Sequence, residues 1–113
     1  RLAACVSDWD AALEPGARFD FVVTNPPFLP DEPPAQRLAL YGGPRLEATG
    51  AALRAVSRRL APRGRALLLT SERSGRAHVE QLVQAAGLRP VASLVARALF
   101  EDYRLDLLAA AEP

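Results

Sequence analysis

Lysine and methionine are both missing from this 113-residue sequence, and cysteine and histidine occur once each. A lone Cys5 can close no internal disulfide, which fits a reducing, cytoplasmic setting. With no lysine, all 14 basic residues are arginine. Beside the many alanines this reads as a bias toward GC-rich codons, with Arg73, Arg76 and Arg104 kept as local candidates. A formal net charge of +1 gives no strong pull toward nucleic acid or a membrane surface. No run of 18 apolar residues occurs, so nothing reads as a transmembrane helix. No signal-peptide pattern is visible. The sequence opens on Arg1, directly against the apolar run Leu2–Val6, so it is expected to enter partway through a domain. Half of the residues are hydrophobic, which allows one modest core.

Residues 1–6 read as a short buried strand. Ser7 or Asp8 then suits a helix N-cap, with Trp9, Ala12 and Leu13 on one face and Pro15-Gly16 as the stop. Phe19–Thr24 is a strand by its β-branched and aromatic content, stopped by Asn25-Pro26-Pro27. Residues 25–45 carry six prolines and Gly42-Gly43, a long irregular loop of the kind that is usually functional. Leu46, Thr49, Leu53, Val56 and Leu60 form one helical stripe, with Arg58 and Arg59 opposing the negative helix end and Pro62-Arg63-Gly64 as terminator. Arg65–Thr70 reads as a buried parallel strand. A helix follows from Ser74 or Gly75, with Val79, Leu82, Val83 and Ala86 inward and Gly87 as its stop. Val91–Leu99 and Leu105–Ala109 read as two closing strands about a turn at Glu101-Asp102, an antiparallel hairpin. Alternating strands and helices indicate an α/β domain with a mainly parallel sheet. Ligands of such sheets bind beyond the carboxyl ends of the strands, where Asp8 and Asn25 are both expected.

The run Thr24-Asn25-Pro26-Pro27-Phe28 directly after an apolar strand resembles the (D/N/S)-P-P-(Y/F) motif of class I S-adenosylmethionine (SAM)-dependent methyltransferases that act on exocyclic amines or amides. Within that group FDFVVTNPPFLP is most similar to the HemK-like (PrmC-type) enzymes, which methylate the glutamine amide of release factors. Gly42-Gly43 resembles their double glycine. Pro44-Arg45-Leu46 and Thr70-Ser71-Glu72 depart from the bacterial pattern, the latter toward the archaeal and eukaryotic branch. The resemblance implies a Rossmann-like sheet with family strands ordered 3-2-1-4-5-7-6, of which this sequence would supply 3, 4, 5, 6 and 7. Family strands 1 and 2 and the glycine-rich cofactor loop have no counterpart here. Residues 1–113 are therefore expected to be the C-terminal part of a single catalytic domain, inactive alone, with a preceding segment or a complementing subunit supplying the remainder.

The chemistry of the motif is direct. An amide or aromatic amine nitrogen is a poor nucleophile because its lone pair is delocalised. The Asn25 side-chain carbonyl accepts one of its N–H groups and the Pro26 backbone carbonyl the other. Two fixed acceptors localise the lone pair toward the methyl donor and stabilise the positive charge that develops. Phe28 offers a flat face for the target, worth about 0.5–1.5 kcal/mol for an aromatic pair; packing within its own loop is the plainer role. By the resemblance, Asp8 accepts from the adenine amino group of SAM, with helix capping as its ordinary and compatible role. Trp9 lies beside the adenine or packs in the core. No metal is called for. The expected acceptor is a protein glutamine side chain of release-factor type. The alternatives are an RNA or DNA base amine, flipped onto Phe28, and a silent methyltransferase-like binding module.

Overall fold

A computed structural model describes residues 2–27 and 42–112. Four strands, β1 (Phe19–Thr24), β2 (Leu60–Ser71), β3 (Leu88–Ala98) and β4 (Glu101–Ala110), alternate in part with two helices, α1 (Glu47–Arg59) and α2 (Arg76–Ala85). They form one mixed sheet in the order β1-β2-β4-β3. β1 and β2 are parallel and joined through α1, while β4 runs antiparallel to both β2 and β3. The closing antiparallel hairpin is as expected, but only one of the three pairings among the described residues is parallel, so the sheet is mixed where a mainly parallel one was expected.

The apolar stripes decide which sheet face is covered. Leu46, Thr49, Leu53, Val56 and Leu60 are all buried, as are Val79 and Val83 on α2. They pack on Ala66, Leu68 and Leu108, with Val22 partly buried against them. The alternation of strand side chains sends Phe21, Val23, Leu67, Leu69, Leu105, Leu107 and Leu94 to the opposite face. There Phe21, Val23 and Leu94 are exposed and the four leucines of β2 and β4 half-buried. A second apolar face thus stands open among the described residues, as does the outer side of β1.

Three expectations for residues 2–64 are corrected. Residues 2–7 form no strand, and Leu2 and Val6 are fully exposed. An extended apolar run becomes a strand only where a neighbour pairs its backbone, and none of the described strands does. Residues 8–13 make turns in place of a helix: Ala11 N–H donates to Asp8 O and Leu13 N–H to Asp10 O, each at 3.1 Å, and Trp9 sits at φ 53°. So short a run cannot repay helix nucleation. Ser7, not Asp8, supplies the side-chain acceptor, closing the turns by taking Ala12 N–H at 2.8 Å. Finally, β2 begins at Leu60, and Pro62–Gly64 lies inside it, in a bulge between the pairs Phe19–Leu60 and Phe21–Arg65.

Arg58 and Arg59 do more than oppose the helix end. Both grip Asp10, at 2.7 and 2.8 Å. Arg59 Nη1 also donates to Glu14 O at 2.6 Å and Pro15 O at 3.2 Å, so one guanidinium staples the 8–17 segment to α1. Hydrogen bonds from Arg58 and then Arg59 hold the Asp10 carboxyl well below the usual carboxylate range. A depressed value means that this stabilisation is present above the ordinary value near 3.8 and is lost as the pH falls below it. Asp10→Asn is therefore expected to melt below the parent at pH 7, with the gap closing as melting curves are repeated below about pH 4.

The β3–β4 hairpin turns on two residues, Leu99 and Phe100, between the paired Ala98 and Glu101. Both have positive φ, 51° and 67°, the geometry that favours Asn-Gly. Each L-residue held there costs roughly 1–2 kcal/mol. Arg97 braces the turn, pairing with Asp102 at 3.2 Å and donating to Phe100 O at 3.2 Å. The turn expected at Glu101-Asp102 therefore lies two residues earlier, and β4 starts at Glu101, four residues ahead of the expected Leu105.

Candidate active site

β1 delivers Asn25, Pro26 and Pro27 to the carboxyl end of the sheet, one residue past the pair Thr24–Leu68. The pyrrolidine of Pro26 supplies no backbone donor to the sheet, so pairing must stop there. Asn25 is exposed, Pro26 buried and Pro27 half-buried. The exposed amide is thus carried on an anchored, stiff backbone. Phe28, with most of the expected 25–45 loop, lies outside the described residues.

The far end of that loop comes back against the motif. A side-chain carbon added at Gly42 would stand 2.4 Å from the Pro27 carbonyl oxygen and 3.4 Å from Ala48 Cβ. Thr49 Oγ1, fully buried on the first turn of α1, donates to the same carbonyl at a long 3.5 Å. Gly42 O accepts from Ala48 N–H and Gly43 O from Leu46 N–H, both at 3.0 Å. The Glu47 carboxylate turns back to accept from Arg45 N–H at 3.1 Å. The helix start, whose first N–H groups need partners, is therefore tied to the double glycine, and the double glycine to Pro27. The glycine pair was visible in the sequence, but its contact was not. Thr49 was read only as a member of the apolar stripe, and nothing in a 22-residue separation marks its bond to Pro27.

The same edge carries a second group of polar residues. β4 runs opposite to β2, so Tyr103 pairs with Ser71 at the carboxyl end of β2. Ser71 Oγ donates to Glu101 and accepts from Arg73 N–H, and Tyr103 OH donates to Glu101 Oε2 at 3.2 Å. Glu72 Oε1 accepts from Asp102 N–H at 3.2 Å. Burial, then the Glu101 charge, push the Tyr103 phenol above its ordinary value of 10.0, which keeps it a donor. Glu72, exposed just after β2, thereby ties that strand end to the start of β4.

Two clefts stand out among the described residues. One, of about 400 Å³, runs along the open side of β1 and is lined by Trp9, Phe21, Val23, Thr24 and Ala52 among others. Trp9, partly exposed there, shares this cleft with Thr24, the residue before Asn25. Asp8 is exposed, and its carboxylate has no hydrogen-bond partner among the described residues. The other cleft, about 620 Å³, lies between α2 and β3–β4. Its polar floor is satisfied from within: Asp106 accepts from Ser93 at 2.5 Å and pairs with Arg104 at 2.9 Å. Among the described residues no group of three metal-binding side chains converges, and no helix is long and apolar enough to cross a membrane.

The fold is an α/β domain with a mixed four-stranded sheet. It is similar to the solved structure of a SAM-dependent methyltransferase from Leishmania major, at 12% identity and a TM-score of 0.59. The match covers 90% of this chain and 43% of that one, so the chain spans less than half of that protein's length. At such identity the likeness is one of fold. No family model matches the sequence. No curated protein matches it either.

Proposed function

We propose that this chain carries the acceptor half of a SAM-dependent N-methyltransferase site acting on a planar amide or amino nitrogen. The observation that carries this reading is the Asn25-Pro26-Pro27 turn, placed at the carboxyl end of β1 and held from behind by Gly42 and Thr49. The Asn25 side-chain oxygen and the Pro26 carbonyl are the two acceptors for the target N–H groups, and the Phe28 ring is the stacking face. Fixing the target nitrogen in line with a donor lowers the barrier by roughly 7–11 kcal/mol. SAM, when bound, supplies the methyl group as an electrophile.

The residues present fit one side of that cofactor. Trp9 and the open side of β1 wall the 400 Å³ cleft beside Thr24. Asp8 does not line that cleft, but it is next to Trp9 in the chain, and its exposed carboxylate, without a partner among the described residues, suits an adenine amino group. The open β1 edge and the second apolar face are what a preceding segment, or a complementing subunit, would cover. The acceptor is a protein amide, most simply a glutamine side chain of release-factor type, in a cytoplasmic setting. The near-neutral charge supports protein over nucleic acid, whose phosphates call for a basic surface.

The test uses the full-length protein, labelled SAM and a lysate of cells lacking the enzyme. Transferred label is expected to be released by protease. Label released by nuclease would transfer the reading to a base amine, and no transfer at all would leave a silent binding module.

A further inference from the structure

We infer that the Leu99–Phe100 hairpin tip is an apolar knob that docks a protein methyl acceptor at the site edge. The inference rests on the methyltransferase reading and adds where and how the acceptor is held. Leu99 is 91% and Phe100 92% exposed, in a two-residue turn where both φ values are positive. Asn-Gly would make that turn at less cost and with no exposed apolar surface. Two large apolar side chains are thus held in solvent against the preference of their own backbone. Arg97 stiffens the neck through Asp102 and Phe100 O, so the knob is presented on a braced stem.

Its position points to the acceptor. The tip caps the end of the hairpin that Glu72 and Ser71 tie to the carboxyl end of β2. That is the edge on which β1, the next strand, presents Asn25. The tip and Asn25 thus share one edge of the sheet with only β2 between their strands, within the span of a protein acceptor whose amide is held at Asn25. The charge around the tip selects its class. Arg97 is paired with Asp102 and Arg104 with Asp106, and of the remaining charges Arg73 is outnumbered by the Glu72 and Glu101 carboxylates. Such a surface releases no counterions from phosphates, whereas an aromatic and a leucine suit an apolar recess on a protein, the usual form of an energetic anchor.

The double substitution Leu99→Asn/Phe100→Gly tests this. The full-length enzyme and the variant are compared with labelled SAM on the intact protein fraction of cells lacking the enzyme, and on their RNA. The variant is expected to melt no lower than the parent and to bind SAM equally. Its initial rate on dilute protein should fall about tenfold, the loss of one modest anchor, with the deficit closing as the fraction is concentrated. A Leu99→Met/Phe100→Leu variant, which keeps the apolar tip, should retain at least half of the rate. An undiminished rate in the Asn-Gly variant would overturn the docking role and leave the methyltransferase reading standing. So would a deficit that persists at all protein concentrations. Label in RNA would overturn the choice of a protein partner, and no label from the parent enzyme would remove both readings together.

Discussion

Asn25→Ala in the full-length protein is expected to cut methyl transfer by about 10²–10³-fold, the scale seen when one preorganised polar group is taken from a transition state. The affinity for SAM, measured by calorimetry, should stay nearly unchanged. The reasoning starts from exposure. Asn25 lies in solvent between a buried Pro26 and the end of β1, so its removal leaves no cavity and no orphaned partner. Surface changes of this kind usually shift stability by no more than about 0.5 kcal/mol. A large loss of rate with an unchanged melting temperature would therefore belong to chemistry. Asn25→Asp keeps a side-chain oxygen that accepts an N–H and should lose far less than the alanine variant. If Asn25→Ala lowers rate, cofactor affinity and melting temperature together, the turn is structural and the acceptor role is lost.

Much of the framework was legible in the residues, and the exceptions share a cause. The stripe from Leu46 to Leu60 and the run Phe19–Thr24 carry their own periodicity, so α1 and β1 lie where the pattern places them. Leu2–Val6 reads as a strand by composition, yet a strand is a property of a pair, and the described residues hold no partner for it. The hairpin tip escaped notice because turn chemistry points to Glu101-Asp102, while Leu99 and Phe100 occupy the positions that rule assigns to Asn and Gly. Local propensity was overridden there by strand pairing from Ala98–Glu101 onward. Asn25-Pro26-Pro27 was readable as the end of β1 because proline stops pairing locally. What holds it, Gly42 and Thr49, was not, because those contacts close only once α1 has packed on the sheet.

That dependence makes Gly42 the position where one methyl group should do the most damage. In Gly42→Ala the new carbon would lie 2.4 Å from the Pro27 carbonyl oxygen, and neither side yields easily. The carbonyl is backbone of Pro27, the second proline of the motif itself, and Gly42 is tied through its own carbonyl to Ala48 on the first turn of α1. The loop must open by more than half an ångström, which also lengthens the already long Thr49–Pro27 bond. Overpacking of this sort costs about 1–3 kcal/mol, and an acceptor misplaced by about 1 Å can cost 10²-fold in rate. The expected result is a melting temperature lower by several degrees together with a loss of turnover of about 10–10²-fold. Gly16→Ala is the matched control, because nothing lies within 4 Å of the added carbon. It should leave both quantities unchanged or raise stability slightly through the unfolded chain. If Gly42→Ala melts and turns over like the Gly16 variant, the double glycine does not hold the motif. In that case the preorganisation of Asn25 and Pro26 would have to come from the two prolines alone.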